Sequence, residues 1–319
     1  MVLCCQPGGQ RVRLCQGILG TRVLKVAVVH ATGGHTGSDR SGELLGGRYR
    51  ITGVLGRGGQ GVVYRAHDLR DGDEVAIKIL NDVLTRNADF RERMFREARA
   101  MTQLTGTAAV RVLDQVWSSD GALGLVMELL HGQELDDYLT NTEAHGARLE
   151  PDFVLRMLDP IVSTLERAHS MGIVHRDLKP GNIYLVDAAH GGGVRVLDFG
   201  FAKFVRLRGF TADGMIAGSP SYIAPETWKG WKIDQRVDVY ALGAITFRCL
   251  AGAPAFEMKD LGSLLRAVTE GPRPSLRAFR PELPAAVDDW VAQCLAVIPD
   301  ERFLGVRALY NSLSFALGR

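Results

Sequence analysis

The hydrophobic pattern changes at Tyr49, where an irregular sequence gives way to short segments rich in β-branched and other apolar residues. Gly or Asp turns separate these segments, which is typical of strands joined by tight connections. A stretch with helical spacing, Asp89 to Leu104, follows the third segment. The predicted strands are Tyr49 to Leu55, Gly61 to His67, Glu74 to Leu80, Val110 to Trp117 and Ala122 to Leu129. The pattern predicts an antiparallel sheet accompanied by one helix.

A helical pattern replaces the strands after Leu130-His131-Gly132, a segment that is interpreted as a linker. From Pro151 to His169, apolar side chains recur at the spacing of a buried helical face. Pro160 lies inside this helix and is expected to kink it, because its ring clashes with the preceding turn.

A short β-pair, Ile183 to Val186 and Val194 to Leu197, is predicted around a triple-glycine turn within the helical part. The chain is therefore expected to form two lobes. Residues 46–130 make a small β-rich lobe, and residues 131–319 make a larger, mainly helical one.

The first 45 residues are rich in glycine and predict no fold beyond a short strand at Val23 to Val29. We interpret them as a disordered leader or a misassigned start. A secretory signal is disfavoured because Arg22 and Lys25 interrupt its apolar core. A metal site is also disfavoured, since the spacing of the Cys and His residues in this leader matches no standard site.

Composition narrows the function classes. Lys plus Arg (38) nearly balances Asp plus Glu (36), so neither nucleic acid nor an anionic membrane is predicted as the main partner. No apolar run approaches the roughly 20 residues that span a bilayer. Five cysteines without CxxC spacing are typical of free thiols in the cytoplasm, where we expect the protein to be.

The segment His175-Arg176-Asp177-Leu178-Lys179-Pro180-Gly181-Asn182 concentrates charged and amide groups in a stretch with little helix or strand character. A base (Asp177), a cation (Lys179) and an amide (Asn182) suit phosphoryl transfer, in which a hydroxyl is oriented, charge is neutralised and a metal ion is held. The alternative is a polar loop whose charges are solvated. If the short β-pair forms, Asp198 lies beside Asn182.

A glycine-rich stretch, Gly56 to Gly61, links two predicted strands. A dinucleotide-binding fold would place the same GxGxxG pattern between a strand and a helix. The observed context favours a hairpin over nucleotide phosphates, with an ordinary glycine hairpin as the alternative. Only seven of the 38 basic residues are lysine, so Lys78 and Lys179 indicate a requirement for a compact ammonium group.

Together these motifs resemble the eukaryotic-like (Hanks-type) protein kinase family, in its bacterial serine/threonine branch, over roughly residues 47 to 315. The resemblance implies an α+β bilobal kinase fold. It also implies a serine/threonine protein kinase that transfers the γ-phosphate of ATP to protein hydroxyls and phosphorylates its own activation loop.

The resemblance further implies roles for individual residues in binding ATP. The three glycines Gly56, Gly58 and Gly61 would cover the phosphates, and Lys78, held by Glu97, would contact the α- and β-phosphates. Adenine would lie between apolar walls and the hinge backbone, with ribose beside an acid. These positions are Leu55, Val63, Ala76 and Tyr184 for the walls, Glu128 and Leu130 for the hinge, Met127 for the gatekeeper and Glu134 for ribose.

By the same resemblance, Asp177 would orient the substrate hydroxyl and accept its proton, while Lys179 would steady the γ-phosphate. Asn182 and Asp198 would hold magnesium, with manganese as an alternative. Three positions would be structural: Glu226 paired with Arg302, and Asp238 bracing the loop. The apolar spine between the lobes would be Met101, Leu113, His175 and Phe199.

For regulation, the resemblance implies that Arg176 needs an anion from the activation loop. Thr211, once phosphorylated, and Asp213 are the two hypotheses, because Met215 occupies the usual position; Ser219 is a further available hydroxyl. The partners implied are protein substrates, with control by a regulatory protein or by the leader left open.

Two other residues bear on the substrate. Gly181 and Arg248 stand where arginine-directed members carry acids, so no strong preference for basic peptides is expected. The competing functions are a catalytically inactive pseudokinase and a small-molecule phosphotransferase. The sequence gives no oligomeric state.

Overall fold

The computed structural model describes residues 40–58, 61–80, 102–199 and 220–319. Its amino-terminal part is a six-stranded antiparallel sheet in the order β1-β2-β3-β4-β6-β5. The strands are β1 Leu44–Leu45, β2 Tyr49–Gly58, β3 Gly61–Asp68, β4 Glu74–Leu80, β5 Val112–Trp117 and β6 Leu123–Glu128. The predicted sheet is confirmed, and β1 falls inside the predicted leader.

One face of this sheet encloses its own small core. Alternate side chains of neighbouring strands point to the same face, so Tyr49, Ile51, Tyr64, Ile77 and Val126 are buried together. Burying such large apolar side chains contributes about 1.5–3 kcal/mol each. This packing fixes the register of the strands that carry the glycine-rich hairpin and Lys78.

The carboxyl-terminal part is mainly helical and contains a small three-stranded sheet in the order β7-β8-β9. These strands are β7 Gly132–Glu134, β8 Ile183–Val186 and β9 Val194–Val196. The helices are α1 Leu135–Ala144, α2 Pro151–Ser170, α3 Pro225–Trp228, α4 Arg236–Ala251, α5 Leu261–Thr269, α6 Ala286–Cys294 and α7 Val306–Ala316. The predicted α+β bilobal class is therefore confirmed.

Two helices form the centre of the helical lobe. Helix α2 is amphipathic and remains one helix across Pro160. In helix α4 every residue from Val237 to Ala251 is buried, because neighbouring elements pack around its whole circumference. Helix α4 carries Asp238 in its first turn, so the best-buried helix anchors the loop that precedes β8.

Some predicted elements differ from the structure or lie outside the described residues. The linker prediction for Leu130-His131-Gly132 is wrong at its last residue, because Gly132 begins β7 and pairs with Val186. A Cβ atom at Gly132 would lie 2.0 Å from the carbonyl oxygen of Leu185, so this close pairing requires glycine. The helix predicted from Asp89 to Leu104 lies almost entirely outside the described residues, as does most of the leader.

Two cysteines lie within the described part of the chain, Cys249 and Cys294, and both are free and buried. Burial raises the pKa of the Cys249 thiol to about 12, which keeps it protonated and unreactive. Among the described residues, no helix combines the length and apolar character needed to cross a bilayer. The cytoplasmic location and the lobe boundaries stay predictions.

A buried ion pair supports the helical lobe, and its loss should destabilise the fold strongly. Arg302 donates to both oxygens of Glu226 at 2.8 and 2.7 Å, and neither side chain is more than 1% exposed. Glu226→Gln leaves the guanidinium charge buried without its counter-ion, so we expect the free energy of unfolding to fall by about 3–5 kcal/mol in urea titrations.

The matched control is Arg307→Met, which removes a partly exposed pair with Asp159. That change should cost about 1 kcal/mol or less. Equal losses for the two variants would contradict the structural role of the Glu226–Arg302 pair.

Candidate active site

The loop His175–Asn182 brings its acid, ammonium and amide groups into contact. The ammonium of Lys179 lies 3.1 Å from Oδ2 of Asp177. The amide nitrogen of Asn182 donates to the carbonyl oxygen of Asp177 at 2.6 Å and to its Oδ2 at 3.2 Å. Both contacts use the nitrogen, so the amide oxygen of Asn182 points away from Asp177. One Asp177 carboxylate oxygen is thus held between two donors.

Asp238 braces this loop from below. Its buried carboxylate accepts hydrogen bonds from the backbone N–H groups of His175 and Arg176 and from the ring of His169, each at 2.8 Å. Burial alone would raise the pKa of Asp238, but the His169 hydrogen bond and charge outweigh it and hold that pKa below its usual value. Arg176 has a φ of 65°, a conformation that these bonds help to hold.

Asp198 lies across from this loop in the position predicted from strand pairing. Strands β8 and β9 pair through Ile183 and Val196, and the N–H of Leu197 donates to the carbonyl of Asn182 at 2.8 Å. Asp198 therefore follows directly after the residue bonded to Asn182. The structure brings the two predicted metal ligands together on adjacent chain segments.

Lys78 links the two lobes through Asp198. Its ammonium lies 2.7 Å from Oδ1 of Asp198, and its side chain is 7% exposed. Although burial pushes the pKa of Asp198 upward, Lys78 and then Lys179 hold it below the usual value, so the carboxylate stays ionised. A partly exposed anion opposite a buried cation suits a site that receives a charged ligand.

The glycine-rich hairpin lies on the strands next to Lys78. Gly58 pairs with Gly61 at the end of β2 and β3. A Cβ atom on Gly61 would lie 2.1 Å from the carbonyl oxygen of Ile79, so the close approach of β3 to β4 requires glycine there. Val63 pairs with Gly56 on one side and with Lys78 on the other, so the three residues lie side by side on the adjacent strands β2, β3 and β4.

The predicted adenine walls come from both lobes. Ala76 is buried, while the other wall positions are partly exposed: Leu55, Val63 and Tyr184. Ala76 pairs with Met127 at the end of the sheet. Glu128 and Leu130 follow in the segment that leads into β7, where Glu134 pairs with Tyr184.

Glu134 has an unusual environment for a carboxyl group. Burial, followed by repulsion from Asp137 and Asp136, raises its pKa to about 7. A Cβ atom on Gly181 would lie 3.3 Å from Oε2 of Glu134, so the carboxyl group packs against the loop that carries Asp177. Its charge changes near neutral pH.

The predicted apolar spine is only partly correct. His175 and Phe199 are fully buried, and their ring centroids lie 4.7 Å apart. The assignment of Leu113 to the spine is wrong, because Leu113 is 44% exposed at a register shift in β5. Its neighbour Val112 packs against the core instead. A bulge of this kind turns a side chain to the opposite face of the sheet.

The described residues leave part of the predicted site untested. Glu97, Met101, Thr211, Asp213 and Ser219 lie outside them. The predicted roles of these residues stay predictions.

Sequence reasoning missed the contacts that surround Arg248. Its guanidinium donates to Glu143 at 2.7 and 3.0 Å, to Asp136 at 2.5 Å, to the Tyr222 hydroxyl at 3.1 Å and to Thr140 at 3.2 Å. These five bonds engage the five N–H donors of an arginine. The available signal was a single cation inside the apolar run of α4.

Comparison with known proteins supports the same interpretation. The protein kinase domain family matches residues 49–312. Serine/threonine-protein kinase Pkn1 of Myxococcus xanthus is 36% identical over 273 residues, covering 85% of this chain and 38% of the relative. Serine/threonine-protein kinase PrkC of Bacillus subtilis is 34% identical over 262 residues, covering 82% of this chain and 39% of the relative.

Solved structures agree with these relatives. The kinase domain of Mycobacterium tuberculosis PknI superposes with a TM-score of 0.68 at 28% identity, covering 86% of this chain and 98% of that domain. The chain spans about two fifths of the length of Pkn1 and PrkC. It belongs to the protein kinase domain family, in its bacterial serine/threonine branch.

Proposed function

We propose that this chain is a serine/threonine protein kinase domain that transfers the γ-phosphate of ATP to serine or threonine hydroxyls of proteins. The observation that carries the proposal is the convergence of Asp177, Lys179, Asn182, Asp198 and Lys78 at the junction of the two lobes. Phosphoryl transfer depends mainly on positioning and on neutralising charge, and this group supplies a base, two ammonium groups and two oxygen donors.

The chemistry of Asn182 and Asp198, an amide oxygen and a carboxylate, fits magnesium. Magnesium prefers hard oxygen ligands and is usually held by one or two protein groups together with water and substrate phosphates. When bound, it would neutralise charge on the phosphate oxygens. Manganese takes similar oxygen ligands and is the alternative.

The side chains then divide the reaction among them. Asp177 accepts the hydrogen bond of the substrate hydroxyl and takes its proton as the new O–P bond forms. The bond between the γ-phosphorus and the bridging oxygen breaks, and ADP leaves with that oxygen. Lys179 neutralises the γ-phosphate, while Lys78 holds the α- and β-phosphates. Asp238 holds the backbone of His175 and Arg176 and so helps to position Asp177, the next residue.

A direct test incubates the whole chain with radiolabelled ATP and two kinds of acceptor. One is a mixture of proteins, and the other is a fraction of small metabolites. We expect label in the acid-precipitated protein. Label confined to the small-molecule fraction would favour a small-molecule phosphotransferase, and ATP binding without any transfer would favour a pseudokinase.

The pKa of Glu134, about 7, should make ribose recognition pH-dependent. An ionised carboxylate accepts stronger hydrogen bonds from hydroxyl groups than a protonated one. We therefore expect the preference for ATP over 2′,3′-dideoxy-ATP to increase as the pH rises from about 6 to about 8, across that pKa. The measurement is nucleotide titration calorimetry at each pH.

Glu134→Gln is the matched variant, because it keeps the shape of the side chain and cannot ionise. Its preference for ATP should stay flat with pH. The triphosphate ionises in both nucleotides, so its effect cancels in the ratio. A pH slope that persists in Glu134→Gln would contradict the role of Glu134.

We propose that Arg176 controls activity by pairing with an anion on the activation loop. The support is its position directly before Asp177, with its backbone fixed by Asp238. An unpaired cation there disfavours the active arrangement, and phosphate on Thr211 neutralises it. Autophosphorylation of Thr211 would then raise activity.

The expected result is that Thr211→Ala lowers the rate at least about tenfold, as expected for the loss of a charge-assisted contact. Asp213→Asn serves as the comparison, since Asp213 is the alternative anion. Phosphopeptide mapping shows whether Thr211 is modified. Full activity in protein whose Thr211 is unmodified would overturn the Thr211 hypothesis.

A further inference from the structure

The carboxylate of Glu128 is held from two directions. Its Oε1 accepts a hydrogen bond from the backbone N–H of Arg111 at 2.8 Å and another from Nε of Arg195 at 3.3 Å. The N–H of Glu128 in turn donates to the carbonyl of Arg111 at 3.0 Å. Both the backbone and the side chain of Glu128 are therefore engaged.

Arg195 comes from the small three-stranded sheet of the helical lobe. It lies on β9 opposite Tyr184, and β9 leads directly to Asp198. A second hydrogen bond, from Nη1 of Arg195 to the carbonyl of Val194 at 3.0 Å, orients the guanidinium. Through Arg195, the end of β6 is held to the strand that precedes the predicted metal ligand Asp198.

The stretch that contains Glu128 and Leu130 has a second set of contacts at His131, directly after Leu130. The rings of His131 and His190 stack with centroids 4.1 Å apart and an interplanar angle of 14°. The N–H of Asp187 donates to the carbonyl of His131 at 2.9 Å. Glu128 and Leu130 thus lie in a short stretch tied at both ends to one hairpin, β8–β9.

We propose that Arg195 is a positioning residue for adenine recognition, acting through Glu128. This inference rests on the proposed function, and on the hinge role that the family resemblance implies for the backbone of Glu128 and Leu130 at the edge of adenine. In that hinge role the carbonyl of Glu128 would accept the 6-amino group, so its placement relative to Tyr184 would decide how well adenine fits. Removing the guanidinium releases one of the two groups that hold the Glu128 side chain.

The test is Arg195→Met, which keeps the apolar stem and removes the donor, with Arg195→Lys as the conservative variant. The probes are ATP and purine riboside 5′-triphosphate, which lacks the 6-amino group. Both dissociation constants are measured by calorimetry with magnesium, and KM and kcat are measured with a protein acceptor. The matched control is Arg307→Met, since Arg195 and Arg307 have side chains that are 32% and 33% exposed and both pair with carboxylates.

We expect Arg195→Met to weaken ATP binding and raise its KM by about three- to tenfold, the size of one partly exposed charged contact. Binding of purine riboside triphosphate and kcat should change by less than about twofold. Arg195→Lys should recover part of the loss, and Arg307→Met should match the wild type.

Equal weakening of both nucleotides, a changed kcat with unchanged affinity, or no change at all would overturn the role of Arg195. Calorimetry separates this result from failure of the proposed function, because it does not require turnover. Wild-type protein that binds neither nucleotide would overturn the inference and the proposed function together.

Discussion

Asp177→Asn is expected to lower kcat for transfer to protein by about 10²- to 10⁴-fold, the usual contribution of a positioned general base. The amide keeps the size of the side chain but cannot take the proton of the substrate hydroxyl. The contact from Lys179 and one of the two from Asn182 end on the carboxylate, while the other Asn182 contact reaches the backbone carbonyl and survives. The loop should therefore keep its shape, and KM for ATP should change little.

The measurement is initial-rate kinetics with ATP and protein acceptor both varied. Asp289→Asn is the control. It makes the same chemical change at an exposed position on α6. Asp177→Asn protein that retains near-wild-type kcat would show that Asp177 is not the base.

Asp198→Asn is expected to lower kcat/KM by about 10²-fold or more at low magnesium, since metal-ion charge stabilisation contributes several kcal/mol. The carboxylate is ionised in the folded protein because Lys78 and Lys179 oppose the effect of burial. Replacing it with an amide removes the only full negative charge among the two proposed metal ligands. The magnesium concentration for half-maximal rate should rise accordingly.

The same substitution leaves Lys78 without its Asp198 contact, so thermal unfolding must accompany the kinetics. In thermal unfolding, the double variant Lys78→Met with Asp198→Asn measures how much stability the uncompensated charge costs, because it removes the buried cation as well. An Asp198→Asn protein with an unchanged magnesium requirement would contradict the assignment of Asp198 as a metal ligand.

The sequence predicted the core of the site because its signals are local. Asp177, Lys179 and Asn182 lie within six consecutive residues, and their contacts follow from one tight loop. Asp198 was placed beside Asn182 by a short hairpin, where two strands and a glycine turn leave few alternative pairings. The conformation of such local segments can be predicted from sequence because it depends little on distant residues.

The errors occurred where two choices looked alike in the sequence. Val112 and Leu113 are adjacent apolar residues, so alternation could not decide which one faces the core. The register shift in β5 decides it. Strand β7 has only three residues and begins with glycine, which carries no hydrophobic pattern. Its pairing with β8, about 50 residues away, is a tertiary effect.

The contacts of Arg195 and Arg248 were beyond sequence reasoning for a related reason. Arg195 and Glu128 are 67 positions apart, and Arg248 and Glu143 are 105 positions apart. Exposed arginines and glutamates are common, so neither residue type indicates a partner. Only the packing of β9 against the end of β6, and of α4 against α1, brings these charges together.

The central claim is that Asp177 and its neighbours catalyse transfer of the γ-phosphate to serine or threonine. The most direct measurement incubates the whole chain and a protein acceptor with magnesium and ATP labelled at either the γ- or the α-phosphate, followed by acid hydrolysis and phosphoamino-acid separation. We predict label from γ-labelled ATP alone, in phosphoserine or phosphothreonine, and its loss in Asp177→Asn. Label only in phosphotyrosine, label from α-labelled ATP, or equal labelling by Asp177→Asn would contradict the account.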